Sequence, residues 1–221
     1  MTPPSRPFKD PRAVTAYPVE EIVARARALA ATGPRRLLGI VGAPGAGKST
    51  LAERLVRDLG PVAALVPMDG FHLAEDELRR LGRHDRKGAV DTFDAAGYVA
   101  LVRRLRAPDG ETVYAPRFRR DLEEPIAGAI PVSPDVPLVI TEGNYLLVPD
   151  GPWADLRGLL DEVWYLDLDE RVRLDRLTER HRAYGRPPEV AAARARGSDQ
   201  VNADLIATTA DRADLVFRLT V

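Results

Sequence analysis

The 221-residue sequence has no cysteine, which excludes disulfide bonds and thiolate metal sites. It also has no excess of one charge, since 32 lysine and arginine residues nearly balance 33 aspartate and glutamate residues. The resulting net charge of -1 gives no reason to expect nonspecific binding to nucleic acid or to an anionic membrane. Any basic binding site must therefore be local.

Long apolar runs are missing as well. No apolar segment approaches the roughly 18 residues that a membrane span needs, and the N-terminal segment MTPPSRPFKDPRAVTAYP is polar and proline-rich, unlike a secretory signal. The sequence contains neither internal repeats nor low-complexity segments. We therefore expect a cytoplasmic protein that binds neither membrane nor nucleic acid, and the lack of cysteine fits a reducing compartment.

The overall composition of the sequence is that of a globular protein. With 45% hydrophobic residues, 221 residues can bury one sizeable core, whereas two typical domains would need more. We expect a loosely held N-terminal arm and a helix over residues 1–35, followed by a single domain over residues 36–221. Residues 19–31 carry apolar side chains at helical spacing, and Gly33 and Pro34 end that pattern.

Short apolar runs then alternate with helical patterns along the chain. The runs are RRLLGIVGA, VAALVPMD, DVPLVITEGN, EVWYLDLDE and DLVFRL. One helical pattern, DAAGYVALVRRLRA, begins with Asp94 in the capping position. Fully apolar strands that alternate with helices indicate a parallel sheet covered on both faces, with all strand carboxyl ends at one ligand-binding edge. The expected fold class is α/β, with helices flanking a parallel sheet.

The segment GIVGAPGAGKSTLAERL joins the first apolar run to a helical pattern and contains a glycine-rich loop. Residues 42–49 fit G-x-x-x-x-G-K-[ST], which arises by chance in about one per cent of chains of this length. Such a loop turns backbone N–H groups toward phosphate oxygens. Its lysine lies at the β- and γ-phosphates, and its serine lies at Mg²⁺. The predicted nucleotide-binding residues are Gly42, Ala43, Pro44, Gly45, Ala46, Gly47, Lys48, Ser49 and Thr50.

Absent motifs and acids at the strand ends indicate which class of nucleotide-dependent protein this is. The sequence has no N-K-x-D for guanine and no LSGGQ-like run of a transporter ATPase. Carboxylates follow three of the apolar runs, at Asp69, Glu142 and Asp167. In a parallel sheet these positions share an edge with the phosphate loop. A phosphoryl-transfer enzyme needs one acid near the metal and another to accept the proton of the attacking hydroxyl.

Six segments carry a resemblance to a known family. They are GAPGAGKST, MDGFHL, DTFD, EEPIAGAIPV, TEGNYLL and RLDRLTERHRAYGR. In this order the chain resembles the uridine kinase/phosphoribulokinase superfamily from about residue 36 onward. Its nearest branch is that of bacterial nucleoside/nucleotide kinase-like proteins, some of them named as fructose-transport kinases. The resemblance implies ATP- and Mg²⁺-dependent phosphorylation of a hydroxyl on a small metabolite, and a P-loop fold with a five-stranded parallel core and a mobile arginine-bearing lid.

The same resemblance implies roles for the strand-end acids. Asp69 of MDGF matches the catalytic base, which orients and deprotonates the acceptor hydroxyl. Glu142 of TEGN matches the acid that holds Mg²⁺, together with Ser49. Asp167 is the alternative metal acid, although Gly143 after Glu142 allows the close backbone approach that a substrate pocket needs.

The helical pattern over residues 170–184 places three arginines on one edge. At about 100° per residue, Arg173, Arg176 and Arg180 fall within ~60° of one another. A solvated charged face is the simplest interpretation. The resemblance to the kinase lid instead implies that Lys48, Arg176 and Arg180 stabilise the transferring phosphoryl group, with Arg173 beside ATP. It also suggests that Asn202 faces the adenine and that residues 185–188 form a lid turn.

The predicted acceptor pocket has a ring face, hydroxyls and amides suited to a polyol or nucleoside. Its residues are Phe71, His72, Tyr114, Arg117, Asn144 and Tyr145. Arg86 and Lys87, in a charge-rich loop, are candidates for a phosphate already on the substrate. One departure stands out: related proteins often have Phe-Asp-Arg where this chain has PRFRRD, so either the substrate differs or Asp121 replaces the missing acid.

Two alternatives to a nucleoside or sugar kinase stay open at this stage. The MDGF segment also fits a pantothenate kinase-like enzyme. The altered PRFRRD segment fits a nucleotide-binding regulator whose lid closes on a partner protein without catalysis. A homodimer is also possible, because dimers are common in the superfamily.

Overall fold

The computed structural model of the protein describes residues 14–107, 109–183, 185 and 187–220. Its main sheet has six strands in the order β1-β8-β7-β2-β6-β3, and neighbouring strands are parallel throughout. The strands are β1 Thr15–Tyr17, β2 Arg36–Val41, β3 Ala63–Leu65, β4 Val113–Arg119, β5 Glu124–Val132, β6 Leu138–Glu142, β7 Glu162–Leu166 and β8 Leu215–Leu219. The predicted parallel α/β sheet is therefore confirmed.

The sheet has six strands where five were predicted. The additional strand is β1, whose three residues pair with β8 at the sheet edge, Thr15 opposite Phe217. So short a segment has no apolar pattern that sequence inspection could detect. Residues 14–17 of the predicted arm thus lie against the sheet, whereas residues 1–13 of that arm fall outside the described residues.

Helices connect the strands and cover both faces of the sheet. The helices are α1 Val19–Ala30, α2 Lys48–Leu59, α3 Glu75–Arg80, α4 Ala95–Arg106, α5 Leu156–Leu159, α6 Glu170–Ala183, α7 Pro188–Arg196 and α8 Ser198–Ala207, with 3₁₀ turns at Gly60–Val62, Met68–Phe71, His84–Arg86, Gly151–Asp155 and Ala210–Arg212. Asp94 caps α4 as predicted, since its carboxylate accepts a hydrogen bond of 2.8 Å from the Gly97 N–H. Among the described residues, no helix is both long and apolar enough to cross a bilayer.

Strand β2 shows why the sheet lies between two apolar layers. Its side chains alternate, so that Leu37 and Val41 enter a cluster with residues of α4 and α5. Leu38 and Ile40 enter a second cluster with residues of α1 and α2. A strand buried on both faces needs apolar side chains at successive positions, and LLGIV supplies them. This central strand ends at the glycine-rich loop and fixes where that loop begins.

The antiparallel hairpin of β4 and β5 was not predicted from the sequence. Its pattern is irregular because the pairing register shifts between Ala115 and Arg117. The hairpin packs on the 3₁₀ turn Met68–Phe71, where the ring of Phe118 lies 4.8 Å from that of His72. It therefore brings the PRFRRD segment next to the strand-end acid Asp69.

Candidate active site

The glycine-rich loop forms the turn between β2 and α2. Gly47 immediately precedes α2 with a φ of 98°, in the left-handed region where glycine is the unstrained residue. Lys48 and Ser49 are consequently the first residues of α2. Backbone N–H groups in the first turn of a helix have no helical acceptor and attract anions. The predicted strand–loop–helix arrangement around residues 42–50 is present.

Lys48 is a buried cation within this loop. Only 8% of the residue is exposed, and its Nζ donates a hydrogen bond of 3.2 Å to the Ala43 carbonyl. Burial lowers the pKa of Lys48, while the negative charges of Glu142 and Asp69 oppose that shift. The lysine therefore faces both strand-end acids that were predicted to act in transfer.

Glu142 ends β6 beside the loop and is 5% exposed. The Ser49 hydroxyl donates a hydrogen bond of 3.0 Å to its Oε1. Burial raises the pKa of Glu142 to about 7, and the neighbouring charge of Asp69 acts in the same direction, against the influence of Lys48 and Ser49. The two residues predicted to hold Mg²⁺ are thus in direct contact.

Asp69 lies next to Glu142 because the chain after β3 runs against the end of β6. A Cβ atom on Gly143 would lie 2.5 Å from the Cβ of Met68, so only glycine allows this approach. The Asp69 side chain keeps 31% of its surface exposed, and its Oδ2 accepts a hydrogen bond of 3.2 Å from Arg120. Asp69 is consequently accessible to a small molecule, unlike Glu142.

Asp167, the alternative metal acid, has a different partner. Its Oδ2 accepts a hydrogen bond of 2.5 Å from the Nε of Arg218 on β8. The hydroxyl of Ser49 contacts Glu142 and not Asp167. The contacts of the described residues therefore favour Glu142 as the acid that shares a metal with Ser49.

Two arginines of α6 reach the phosphate loop. The guanidinium of Arg176 lies 3.7 Å from the position that a Cβ atom on Gly47 would take. Arg180 is near enough to Lys48 for its charge to add to the effect of burial in lowering the pKa of that lysine. Across the described ranges, neither arginine has a hydrogen bond or an ion pair, whereas Arg182 on the same helix pairs with Glu179 at 2.6 Å.

Arg173, the third predicted arginine, is 4% exposed and lies behind the loop. It donates a hydrogen bond of 3.4 Å to the Pro44 carbonyl and another to the side chain of Gln200 on α8. With Ala43 and Ala46 it lines a cavity of about 170 Å³, below the ~300 Å³ at which small-molecule sites begin. These contacts support the loop, and the place beside ATP expected for Arg173 stays a prediction.

Helices α6 and α8 are joined by a polar contact that sequence reasoning missed. The Nε2 of His181 lies 2.7 Å from the Oδ2 of Asp199, and both side chains are largely buried. Asp199 is close enough to Lys48 to oppose the lowering of its pKa by burial. Of the predicted lid turn, Arg186 lies outside the described residues.

Among the described residues, Asn202 and Tyr145 share one hydrogen-bond acceptor, which lies outside the glycine-rich loop. The side-chain amide of Asn202 donates a hydrogen bond of 3.3 Å to the Gly88 carbonyl. The hydroxyl of the buried Tyr145 donates one of 2.6 Å to the same carbonyl oxygen. In the described structure both residues therefore hold the segment around residue 88, and the adenine and acceptor roles expected of them stay predictions.

The other predicted acceptor residues occupy several environments. Phe71 packs edge-on against Tyr98, with ring centres 5.1 Å apart. The ring of His72 lies 4.0 Å from that of Phe93, and burial lowers the pKa of this histidine. Asn144 is half-buried after β6, while Tyr114 and Arg117 are exposed on β4. His72 thus lies close to Asp69, whereas the acceptor-binding roles of Tyr114 and Arg117 on the hairpin stay predictions.

The basic residues around Asp69 are mostly paired. Arg86 pairs with Asp91, and Lys87 lies 3.1 Å from Glu75. Asp121 is held by Arg119 at 2.6 Å and does not contact the acids of the site. Sequence reasoning missed Arg120, the partner of Asp69, although the PRFRRD departure was the signal that could have found it.

The residues present fit a magnesium nucleotide. A cationic cradle for phosphates is formed by the positive-φ turn at Gly47, by buried Lys48, and by Arg176 and Arg180, whose side chains have no partner among the described residues. Within the described part of the chain, no cluster of three or more His, Cys, Asp or Glu side chains can hold a metal. Kinase Mg²⁺ ions need fewer protein ligands, since phosphates and water complete the shell, and Ser49 with Glu142 suffices.

Comparisons with known proteins agree with this geometry, although no protein-family model matches the chain. A Schizosaccharomyces pombe protein named "Putative uridine kinase C227.14" is 32% identical over 210 residues, covering 90% of this chain and 89% of that protein. A crystal structure described as a "putative fructose transport system kinase" from Silicibacter sp. TM1040 superposes with a TM-score of 0.81 at 34% identity, covering 92% of this chain and 99% of the other.

A more distant structure shares the fold. YFH7 of Saccharomyces cerevisiae, described as a P-loop kinase with a circular permutation, has a TM-score of 0.80 at 18% identity, covering 93% of this chain and 100% of the other. The loop, the parallel sheet and the extensive similarity to the uridine kinase-like relative point to one assignment. The chain belongs to the uridine kinase/phosphoribulokinase superfamily of P-loop kinases.

Proposed function

We propose that the protein transfers the γ-phosphoryl group of MgATP to a hydroxyl of a small metabolite, with a nucleoside or a sugar as the first candidates. The names of the relatives, a uridine kinase and a fructose transport system kinase, support these two acceptor classes. The cytoplasm is the proposed compartment and a homodimer the proposed assembly. Neither nucleic acid nor membrane is proposed as a partner.

One observation carries the proposal. The Ser49 hydroxyl of the phosphate loop contacts Glu142 at 3.0 Å, and Asp69 lies close enough to contribute to the raised pKa of Glu142. A loop that only bound a nucleotide would need no accessible carboxylate at this point. Two acids beside the loop, one buried and one accessible, are what a transfer reaction requires.

Asp69 is the proposed base. It accepts the proton of the acceptor hydroxyl as that oxygen forms a bond to the γ-phosphorus of ATP. The bond between the γ-phosphorus and the oxygen bridging to the β-phosphorus breaks, and its electron pair stays on ADP. Lys48, Arg176 and Arg180 stabilise the charge on the phosphates during the transfer.

Ser49 and Glu142 are the proposed holders of Mg²⁺. When bound, the ion supplies charge neutralisation at the β- and γ-phosphates. Glu142 must lose its proton to act as a ligand, and the nearby Lys48 favours the ionised form. Arg173 supports the loop by binding the Pro44 carbonyl.

A regulator without catalysis is the alternative from another class. It would need nucleotide binding and a partner protein, but no accessible base. The exposure of the Asp69 carboxylate beside the loop favours an enzyme. A pantothenate kinase-like specificity remains within the enzyme proposal, as one acceptor to be tested.

The test couples ADP release from MgATP to a panel of acceptors. Nucleosides, ketoses and pantothenate are each supplied with the protein, and phosphorylated product is identified by mass. We expect acceptor-dependent ADP release with at least one class. MgATP binding by calorimetry without turnover of any acceptor would contradict the kinase proposal and favour the regulator.

A further inference from the structure

Arg120 stands at the acceptor side of the site, at the end of strand β4. Its NH2 group donates a hydrogen bond of 3.2 Å to Asp69, and its guanidinium lies 6.0 Å from the centre of the Phe118 ring. The side chain is 45% exposed. The residue therefore contacts the proposed base and open solvent at the same time.

Two other cations near this point, Arg119 and Lys87, are already neutralised by carboxylates that have no part in transfer. Arg119 binds Asp121 through two hydrogen bonds of 2.8 and 2.6 Å. Lys87, only 10% exposed, lies between Glu75 and Glu123. Arg120 differs because, within the described residues, its one ion-pair partner is Asp69.

Arg120 also has donors to spare. A guanidinium carries five N–H donors in a fixed plane, and in the described residues Arg120 uses one of them for a hydrogen bond. That bond engages Oδ2 of Asp69 and leaves Oδ1 for an acceptor hydroxyl. The remaining N–H groups can bind two oxygens of a carboxylate or phosphate side by side. A neutral polyol offers no such pair of charged acceptors.

We propose that Arg120 binds an anionic group, a carboxylate or a phosphate, carried by the acceptor within a few bonds of the hydroxyl that Asp69 deprotonates. This inference rests on the kinase function proposed above. It narrows the substrate class from neutral nucleosides and sugars to their anionic counterparts. In the PRFRRD segment the acid expected between Phe118 and Arg120 is replaced by Arg119, while Arg120 occupies the position of the arginine in the related Phe-Asp-Arg.

A purely structural role for Arg120 leads to a different result. If the arginine only neutralised Asp69 beside Glu142, its loss would affect every acceptor to the same degree. If it binds an anion, its loss raises the KM of anionic acceptors by a larger factor than that of neutral ones. The two roles are therefore separated by comparing acceptors with and without the anionic group.

The experiment uses matched pairs drawn from the acceptor panel. Pantothenate is compared with pantothenol for a carboxylate. For a phosphate, fructose 1-phosphate and fructose 6-phosphate are each compared with fructose, and uridine 3′-monophosphate with uridine, so that each primary hydroxyl stays free in at least one anionic member. The full-length protein, Arg120→Gln and the neighbouring control Arg119→Gln are assayed for kcat and KM. MgATP affinity is measured for each by calorimetry, and thermal unfolding reports whether the variants fold.

We expect turnover of an anionic member in preference to its neutral match. Arg120→Gln should raise the KM for that anion by about 10- to 100-fold, the effect of a lost charge-assisted pair of hydrogen bonds. The KM for the neutral member should change by a smaller factor, and Arg119→Gln should behave as the wild type. The carboxylate and phosphate pairs show which anion is bound.

Two results would overturn the inference, and they are distinguishable. Equal or better turnover of the neutral members, or an Arg120→Gln effect that is the same for both members, removes the anion site and leaves the kinase intact. No turnover of either member of any pair, with MgATP still bound, removes the kinase function and this inference with it.

Discussion

The nucleotide side and the acceptor side of the site are built in different ways. The nucleotide side is a continuous backbone turn between β2 and α2, with Arg176 and Arg180 unpaired across the described residues. The acceptor side is assembled from side chains of distant segments, and the cation that faces its base already holds a carboxylate, since Arg120 binds Asp69 across 51 positions of the chain. The first side is prepared for a polyanion, whereas the second must exchange partners when an acceptor binds.

The largest expected effect comes from the base on the acceptor side. Asp69→Asn keeps the shape of the side chain but removes the proton acceptor, so kcat should fall by about 10²- to 10⁴-fold. MgATP affinity should stay nearly unchanged, because the loop residues are intact. Single-turnover kinetics and calorimetry measure the two quantities. Asp76→Asn, at a carboxylate that is 98% exposed on α3, is the control; unchanged turnover in Asp69→Asn would remove this residue from the mechanism.

The matching change on the nucleotide side is Lys48→Met, which keeps the approximate length of the side chain and removes its positive charge. Affinity for MgATP should fall by about 10- to 100-fold, since charge-assisted hydrogen bonds to phosphate are lost. Arg57→Met, at an exposed position near the end of the same helix, should leave binding unchanged. If Lys48→Met bound MgATP as tightly as the wild type, the loop side of the site would not be the phosphate-binding side.

The unpaired lid arginines offer a third test. Arg176→Gln should lower kcat by about 10- to 100-fold, because one cation that stabilises transferring charge is lost. Arg182→Gln is the matched control on α6, since Arg182 is held by Glu179. Equal rates in the two variants would mean that an unpaired arginine in the lid does not indicate a phosphate contact.

The smallest effect concerns stability without ligands. The folded protein raises the pKa of Glu142 to about 7 from its ordinary 4.5, so the folded state holds a proton that the unfolded state has lost. The protonated carboxyl therefore contributes to the free energy of unfolding below pH 4.5, and this contribution is lost as the pH rises toward 7. The glutamine in Glu142→Gln does not ionise, so the variant should not show this decrease in the free energy of unfolding, which is on the order of 1–3 kcal/mol.

Denaturant unfolding at pH 5 and pH 8 measures this difference. The stability of Glu142→Gln relative to wild type should be greater at pH 8 than at pH 5. Glu111→Gln, at an exposed position, should show no such change between the two values. A relative stability of Glu142→Gln that is independent of pH would show that burial does not perturb this carboxyl group.

The sequence predicted most of the fold because apolar segments of strand length mark each buried parallel strand. It predicted the nucleotide loop because all of its residues are consecutive, and it predicted Asp69 and Glu142 because strand ends share an edge. It did not reveal β1, which is three residues long, or the hairpin, whose register shifts at Ala115. The PRFRRD departure marked the segment that contains Arg120, but its pairing with Asp69 depends on that hairpin and so could not be predicted.

A single oxygen atom of the Gly88 carbonyl joins three stretches of chain that lie far apart in sequence. Tyr145, which follows β6, donates to it at 2.6 Å, and Asn202 of α8 donates at 3.3 Å. A carbonyl oxygen has two lone pairs, so it can hold both donors together. Outward displacement of α8 would stretch the Asn202 bond and leave this carbonyl bound by Tyr145. The hydrogen bonding of the segment that follows Arg86 and Lys87 therefore depends on the position of α8.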